Sequence, residues 1–353
     1  MRVKKEIICI LLMAIAMLLS ACSSDNTEAQ VVTTGEKPSV ARQVQVIAYA
    51  PQYTEKVSSS RAAPDGFSAY TPDKVTDMGM YMLKADDVTP YTEKLLKYAT
   101  KWFAHFDVDA NTHYTVYGYM PKAEGMTSLL SVTSGGATLT INNIQAVSAD
   151  DICIITGVKE TDTGLKEGQF HWFMANANDD FYMYLLLDHL YASVNFSLKV
   201  HANFAQLRTI RLKTMKLSVN KASVNATVKL THNTDGLSPI ADEEDGVTYE
   251  VSGSSCDAEI FNNTEGQALS STTPVDISAC FAPSLSANLT LFSTYDVYDS
   301  KDNLIRANCT ATNKIPALNA KRGERIHINM TVNPTYLYVL SDQDLDNLFT
   351  IEE

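Results

Sequence analysis

The stretch DVDANTH begins like a calcium-binding loop, because Asp107, Asp109 and Asn111 place side-chain oxygens at alternate positions. The pattern then fails twice. Thr112 stands at the sixth position, where the loop needs a glycine, and Gly118 stands at the twelfth, where it needs a glutamate. A solvated turn therefore explains this stretch better than a metal site does.

No other stretch has the spacing of a catalytic or metal-binding motif. The seven histidines are scattered along the chain, without an HExxH pattern or a His-x-His pair. The sequence also lacks a GxSxG nucleophile turn and a glycine-rich phosphate loop. We therefore predict that the protein is not an enzyme, and we assign no cofactor, no catalytic residue and no metal ligand.

Four of the cysteines lie beyond residue 100, and none of them forms a CxxC pair. Cys153, within the apolar run DICIIT, is expected to be a buried strand residue. For Cys256, Cys280 and Cys309 two alternatives stay open. They form a disulfide, as is common in exported proteins, or they remain reduced in the core.

The composition is that of a globular protein with enough apolar residues to build a core. The chain has 353 residues, of which 45% are hydrophobic and 20% charged. This length suits two domains of ordinary size. The formal net charge of -13 argues against a nucleic-acid partner, which would require basic patches.

The N-terminus has the pattern of an export signal. A basic start, MRVKKE, precedes thirteen apolar residues, IICILLMAIAMLL, which are too few to span a bilayer comfortably. The LSAC that follows resembles the cleavage box of bacterial lipoprotein signals. This resemblance implies that residues 1–21 are removed and that Cys22 carries the lipid anchor. The alternative is a plain secretory signal with an incidental cysteine.

Strand patterns recur along most of the remaining chain. In RIHINMTV (325–332) apolar and polar residues alternate strictly, as they do on a half-buried strand. Similar alternation occurs in ATLTINNI (137–144), SVNFSLKV (193–200) and LTLFSTYDVY (289–298). The single helix candidate is TEKLLKYA (92–99). We therefore predict an all-β protein built of antiparallel sandwiches.

The division into domains is predicted at the polar break ANANDD (175–180). The eighteen residues that follow, FYMYLLLDHLYASVNFSL, are mostly apolar but contain Asp188, His189 and Asn195. These polar residues argue against a membrane span and favour strands buried between layers. We place one domain at roughly 43–180 and the second at 181–353.

Two predicted strands have features that set them apart from ordinary strands within a sheet. QVQVIAYA (43–50) is joined to the following strand signals only through PQYTEKVSSSRAAPDG. A second segment, beginning at Pro334, is apolar on both faces and is an aggregation hazard unless both faces are buried. It is either a central strand of the second domain or a strand for another molecule's sheet. Its apolar residues are Tyr336, Leu337, Tyr338, Val339 and Leu340.

Taken together, these stretches resemble the fimbrillins, lipoprotein precursors of the pilin type from Bacteroidetes. The resemblance covers the whole chain. It rests on LSAC at Cys22, the early strand followed by SRAA (60–63), YTVYGYMP (114–121), DHLYASVNFSL (188–198) and, most specifically, TVNPTYLYVLSDQDLDN (331–347).

The resemblance implies two tandem transthyretin-like sandwiches and assembly by strand exchange. An arginine-specific protease would cut between Arg61 and Ala62 and release residues 22–61, including the first strand. This leaves an N-terminal domain at 62–180. The vacated groove would accept a donor strand, about 335–341, from the 335–353 tail of a neighbouring subunit. The partners would be other fimbrial subunits, the protease and, before cleavage, the outer membrane.

Compared with Arg42, Arg322 and Arg325, Arg61 has the most suitable position for this cut. A cut after Arg42 would leave the removable strand attached, and a cut at Arg322 or Arg325 would detach the proposed donor. The alternative is an uncleaved arginine in a solvated loop. Two other functions stay open: an anchor subunit that keeps its lipid, and a surface lipoprotein that binds glycans or host proteins, for which TKWFAHF (100–106) supplies aromatic side chains.

Overall fold

The computed structural model describes residues 40–55, 67–69, 76–84, 93–98, 101–108, 112–159, 161, 171–173, 181–231, 246–285, 289–332 and 349–352. Nearly all the regular structure in these ranges is β-strand, as the alternating sequence patterns predict. The all-β prediction is confirmed. In the same ranges the α-helical structure is a single turn, α1, at Ala202–Ala205, and no helix is long and apolar enough to cross a membrane.

The strands are numbered in chain order. The first twelve are β1 Val40–Pro51, β2 Thr54–Glu55, β3 Phe67–Ala69, β4 Met78–Lys84, β5 Lys94–Tyr98, β6 Trp102–Val108, β7 His113–Met120, β8 Thr127–Thr133, β9 Gly136–Gln145, β10 Val147–Ser148, β11 Cys153–Lys159 and β12 His171–Phe173. The others are β13 Phe181–His189, β14 Ala192–Val200, β15 Arg208–Val219, β16 Ser223–Thr231, β17 Val247–Ser252, β18 Cys256–Ala268, β19 Val275–Phe281, β20 Thr290–Asp299, β21 Leu304–Lys314, β22 Glu324–Val332 and β23 Phe349–Glu352.

The first sheet closes on itself. Its strand order is β11-β13-β1-β6-β5-β4-β7-β12, and β11 also pairs with β7. Seven strands therefore form a ring, to which β12 attaches through β7 and β3 through β1. A ring of this kind has no free edge along its paired strands. Its interior is a hydrophobic core that includes Met80, Trp102, Val116 and Leu185.

Three further sheets enclose a second hydrophobic core. Their orders are β10-β19-β14-β22-β2 with β23 on β22, then β18-β15-β20-β21, and then β17-β16-β9-β8. The large side chains buried in this core include Tyr191, Phe196, Phe281 and Tyr295. The alternation predicted for residues 325–332 is confirmed, because Ile328, Met330 and Val332 are buried while His327 and Asn329 are exposed.

The sheets do not follow the division predicted at residue 180. The strand β13 lies after that position but pairs with β1 and β11 in the first sheet. The strand β9 lies before it but pairs with β16 around the second core. The described residues from 40 to 352 belong to one compact unit.

The helix candidate at 92–99 contains a strand instead. Residues 94–98 form β5, which pairs with β4 and β6. Leu95 and Lys97 are exposed and Leu96 is buried, the period of two that a strand requires. The segment is too short and too weakly capped to form a stable helix, so pairing with two neighbouring strands decides its structure.

Candidate functional site

The N-terminal strand, β1, lies inside the first sheet rather than at its edge. On one side it runs parallel to β13, with Val44 opposite Phe181 and Tyr49 opposite Leu186. On the other side it runs antiparallel to β6, from Val40 opposite Val108 to Val46 opposite Trp102. The strand that sequence patterns set apart from the rest therefore supplies hydrogen bonds to two neighbours at once.

One face of the N-terminal strand is part of the first core. Val44 and Val46 are fully buried, Ala48 is 1% exposed and Ala50 is 5% exposed. The residues between them are only half-buried, so the strand has an inner and an outer face. Without β1, the ring would open between β13 and β6, and the inner side chains of both would meet water.

The aromatic residues of TKWFAHF do not lie together on the surface. Trp102 is 1% exposed, and its Nε1 donates a hydrogen bond to the carbonyl of Thr76 over 2.8 Å. Phe103 is exposed on the outer face, opposite Gln45 of β1, and so is Tyr182 on the other side of Gln45. Trp102, one of the aromatic side chains that this stretch would offer to a glycan, is therefore a core residue.

A buried polar pocket lies where the N-terminal strand ends. His189 is the last residue of β13, and its Nε2 lies 2.8 Å from the carbonyl oxygen of Pro51, the last residue of β1. Its Nδ1 lies 2.8 Å from Oδ2 of Asp151, just before β11. The ring of Tyr53 stacks on the imidazole, with centroids 3.9 Å apart, and its hydroxyl donates to Oδ1 of Asp151 over 2.5 Å. The same hydroxyl lies 3.4 Å from Sγ of Cys280.

The hydrogen bonds fix the protonation of this pocket. A carbonyl oxygen only accepts, so Nε2 of His189 carries a proton. Burial alone would raise the pKa of the Asp151 carboxyl, but the hydrogen bond and the charge of His189 outweigh it, and the pKa is lowered. Burial alone would lower the pKa of His189, but Asp151 outweighs it in turn, and the pKa is raised. The arrangement is that of a buried imidazolium–carboxylate pair.

A second ion pair flanks the first. Nη1 of Arg322 donates to Oδ2 of Asp188 over 2.5 Å and lies 3.3 Å from the carbonyl oxygen of His189. The polar residues that interrupt the apolar run at 181–198 therefore have partners, as buried charges require.

Three of the pocket's side chains could in principle hold a metal ion. Asp151, Cys153 and His189 offer an oxygen, a sulfur and a nitrogen within 4.8 Å of one another, a set that zinc accepts. In the arrangement described, however, Nδ1 faces the Asp151 carboxylate as a donor. Burial and the charge of Asp151 also raise the pKa of the Cys153 thiol well above its ordinary value. In the arrangement described, Asp151 and His189 form an ion pair.

The site residues predicted from the sequence lie outside the described residues. This applies to Cys22, to Arg61 and Ala62, and to the proposed donor strand of Tyr336, Leu337, Tyr338, Val339 and Leu340. These assignments stay predictions. Sequence reasoning did not select Tyr53 or Asp151, because neither belongs to a motif. The only visible signal of the pocket was the pair Asp188 and His189 within an apolar run.

The four described cysteines are not bridged to one another. Cys153, Cys280 and Cys309 are buried thiols, and Cys256 is half-buried. This agrees with the reduced alternative and with the buried position expected for Cys153.

No protein-family model and no curated protein matches this sequence. Among solved structures, a candidate cell adhesion protein from Bacteroides ovatus matches with 14% identity and a TM-score of 0.39, over 91% of this chain and 97% of that one. A fimbrial protein from Bacteroides vulgatus matches with 13% identity and a TM-score of 0.35, over 87% and 97%. The fimbrial anchor protein Mfa2 from Porphyromonas gingivalis matches with 10% identity and a TM-score of 0.22, over 87% and 95%. The structures similar to this chain thus include fimbrial and cell adhesion proteins of Bacteroidetes.

Proposed function

We propose that this protein is a stalk or tip subunit of cell-surface fimbriae that supports adhesion, and that its N-terminal strand is exchanged for a strand of a neighbouring subunit. The observation that carries the proposal is the place of β1, which is inserted between β13 and β6 with one apolar face in the core. Proteolysis can remove a strand at the start of the chain without cutting the rest. Its removal leaves two unpaired strand edges beside an exposed core, which is a receptor for strand addition.

The energetics favour refilling of this groove. Burial of Val44 and Val46 stabilises the closed ring by about 1.5–3 kcal/mol each. Each hydrogen bond to β13 or β6 adds about 1 kcal/mol. An open ring loses these contributions. Another strand with alternate apolar residues would restore them on binding, and its net binding free energy would be reduced by the free energy of ordering it.

The finer elements of the proposal come from the sequence resemblance. The precursor is held in the outer membrane by lipid on Cys22, and an arginine-specific protease cuts after Arg61. The tail at 335–353 of one subunit then fills the groove of the next, in a homo- or hetero-polymer at the cell surface. The resemblance also implies a fold of two tandem transthyretin-like sandwiches. The role is structural, without catalysis and without a cofactor.

An anchor subunit is the second candidate function. Such a subunit keeps its first strand and its lipid. The observation in its favour is the buried pocket at the end of β1, where Pro51 and Tyr53 contact His189 and Asp151. These contacts retain the strand as well as position it.

Treatment of the purified precursor with an arginine-specific protease tests the two candidates. The exchange proposal predicts a new N-terminus at Ala62 and a ladder of higher oligomers. The variant Arg61→Ala should block both, whereas Arg42→Ala should leave both unchanged. Deletion of residues 335–353 should give subunits that are cleaved but do not polymerise. A precursor that is cleaved at Ala62 and remains monomeric would contradict strand exchange.

A further inference from the structure

The residues that follow the N-terminal strand leave the first sheet and reach another one. Thr54 and Glu55 form β2, which pairs in parallel with Glu324 and Arg325 at the start of β22. The amide of Thr54 also donates to the carbonyl of Gly323 over 2.9 Å. The segment therefore connects the ring around the first core with a sheet around the second.

Side chains of the same segment contact both neighbours. Tyr53 lies between the His189 ring, on which it stacks, and the guanidinium of Arg325, whose Cζ is 5.0 Å from the Tyr53 ring centroid. Oε2 of Glu55 lies 2.6 Å from Nε2 of His327. Gln52, immediately before Tyr53, is exposed.

We propose that residues 51–55 are a latch that holds the N-terminal strand in its groove after the chain has been cut. This inference rests on the proposed strand exchange. It adds that the latch contacts determine how fast β1 leaves its groove. The latch and β1 are one continuous piece of chain, so β1 leaves only when the latch contacts are broken as well. Most of these contacts lie beyond the end of the groove, where an incoming strand that fills only the groove does not displace them.

The latch would keep a cut subunit inert until its strand departs. The contacts of Tyr53 are buried and include a hydrogen bond to a charged carboxylate, so their loss is costly. The Glu55–His327 pair is about half exposed and contributes less. Tyr53 is therefore the main residue of the latch.

The direct test follows the released N-terminal fragment after cleavage. Wild-type precursor, Tyr53→Ala and Gln52→Ala are cut with the arginine-specific protease, and the fragment that stays bound is measured by size-exclusion chromatography over time. Tyr53→Ala should lose the fragment about tenfold faster or more, and Gln52→Ala at the wild-type rate. Both substitutions leave with the fragment, so the remaining body is identical in all three proteins. Equal lifetimes for the three fragments would overturn the latch.

Hydrogen exchange of the uncut proteins gives a second measurement that needs no cleavage. Amides of β1 should exchange faster in Tyr53→Ala than in Gln52→Ala, while amides of β15 and β20 should be unaffected. Unchanged protection of β1 would also count against the latch. The latch and the proposed function fail in different ways: fragments that leave as predicted without any polymer contradict strand exchange alone, and polymers that form at one rate in all three proteins contradict the latch alone.

Discussion

His189 donates from Nε2 to the backbone carbonyl of Pro51 over 2.8 Å, although the two residues are 138 positions apart in the sequence. This bond joins the ends of two parallel strands, β1 and β13. Through this bond the buried imidazole of His189 contacts the segment that the proposed protease would release. The stability of the precursor and the release of its first strand therefore depend on the same histidine.

Replacement of His189 should destabilise the precursor strongly. His189→Ala removes the donor to Pro51 and leaves the Asp151 carboxylate, whose side chain is only 14% exposed, without its cationic partner. Loss of one partner of a buried pair costs about 3–5 kcal/mol. Urea unfolding should show a decrease of this order, against less than about 1 kcal/mol for His327→Ala, whose pair with Glu55 is half exposed.

A double variant separates the energy of the Asp151–His189 ion pair from the other effects of replacing His189. If the cost arises from the unpaired Asp151, then His189→Ala combined with Asp151→Ala should be less destabilised than the sum of the single variants. Strict additivity would contradict a coupled ion pair.

The same pair should give the precursor a defined pH dependence. The lowered pKa of Asp151 means that its contribution is present above about pH 4 and is lost as the pH falls through the lowered pKa. The raised pKa of His189 means that its contribution is present below about pH 6.5 and is lost as the pH rises through the raised pKa. The difference in unfolding free energy between wild type and His189→Gln should therefore be largest between these values and decrease at alkaline pH.

Several other groups face the imidazole and belong in the interpretation of that profile. They are Asp188 with its partner Arg322, the stacked Tyr53, and the thiol of Cys153. Burial raises the pKa of Tyr53 and of Cys153 well above their ordinary values, so both stay neutral in this range. A stability difference that increases steadily from pH 6 to pH 9 would contradict the assignment.

The N-terminal strand should contribute to the unfolding free energy only while it is bound. Val46→Ala removes buried apolar volume from the first core and should lower the unfolding free energy of the precursor by about 1–3 kcal/mol. Gln45→Ala, on the half-buried outer face, is the matched control. Once the protease has removed residues 22–61, wild type and Val46→Ala are the same molecule and should unfold alike. A difference that persists after cleavage and separation would show that the strand had not left.

The sequence alone predicts the strands better than their arrangement. Alternation along β22 is a local property of nine residues, and the sequence alone predicts it. The helix candidate at 92–99 contains the strand β5, because so short an apolar pattern fits either structure until its neighbours are known. The parallel pairing of β1 with β13 joins residues 137 positions apart, such as Val44 and Phe181. The pocket joins Tyr53 to Asp151 across 98 positions and Asp151 to His189 across 38. No local pattern encodes such contacts.

Cys280 should report the departure of the strand. Its thiol is 6% exposed and lies 3.4 Å from the Tyr53 hydroxyl, and burial raises its pKa to about 12. When residues 22–61 leave, Tyr53 leaves with them. The Cys280 thiol then meets water, and its pKa should fall toward the ordinary value. Maleimide labelling of Cys280, followed by peptide mass analysis, should therefore become at least about tenfold faster once the fragment has gone.

Cys309 is the matched internal control for this measurement. It is buried to a similar degree, 4% exposed, but lies on β21 beside β20, in a sheet that neither β1 nor β2 joins. Its labelling should stay slow before and after cleavage, while the half-buried Cys256 should react in both states. If Cys280 remained as slow as Cys309 after loss of the fragment, another segment would have closed the pocket. Labelling that rises for both cysteines together would instead indicate general unfolding, because only release of the latch exposes Cys280 selectively.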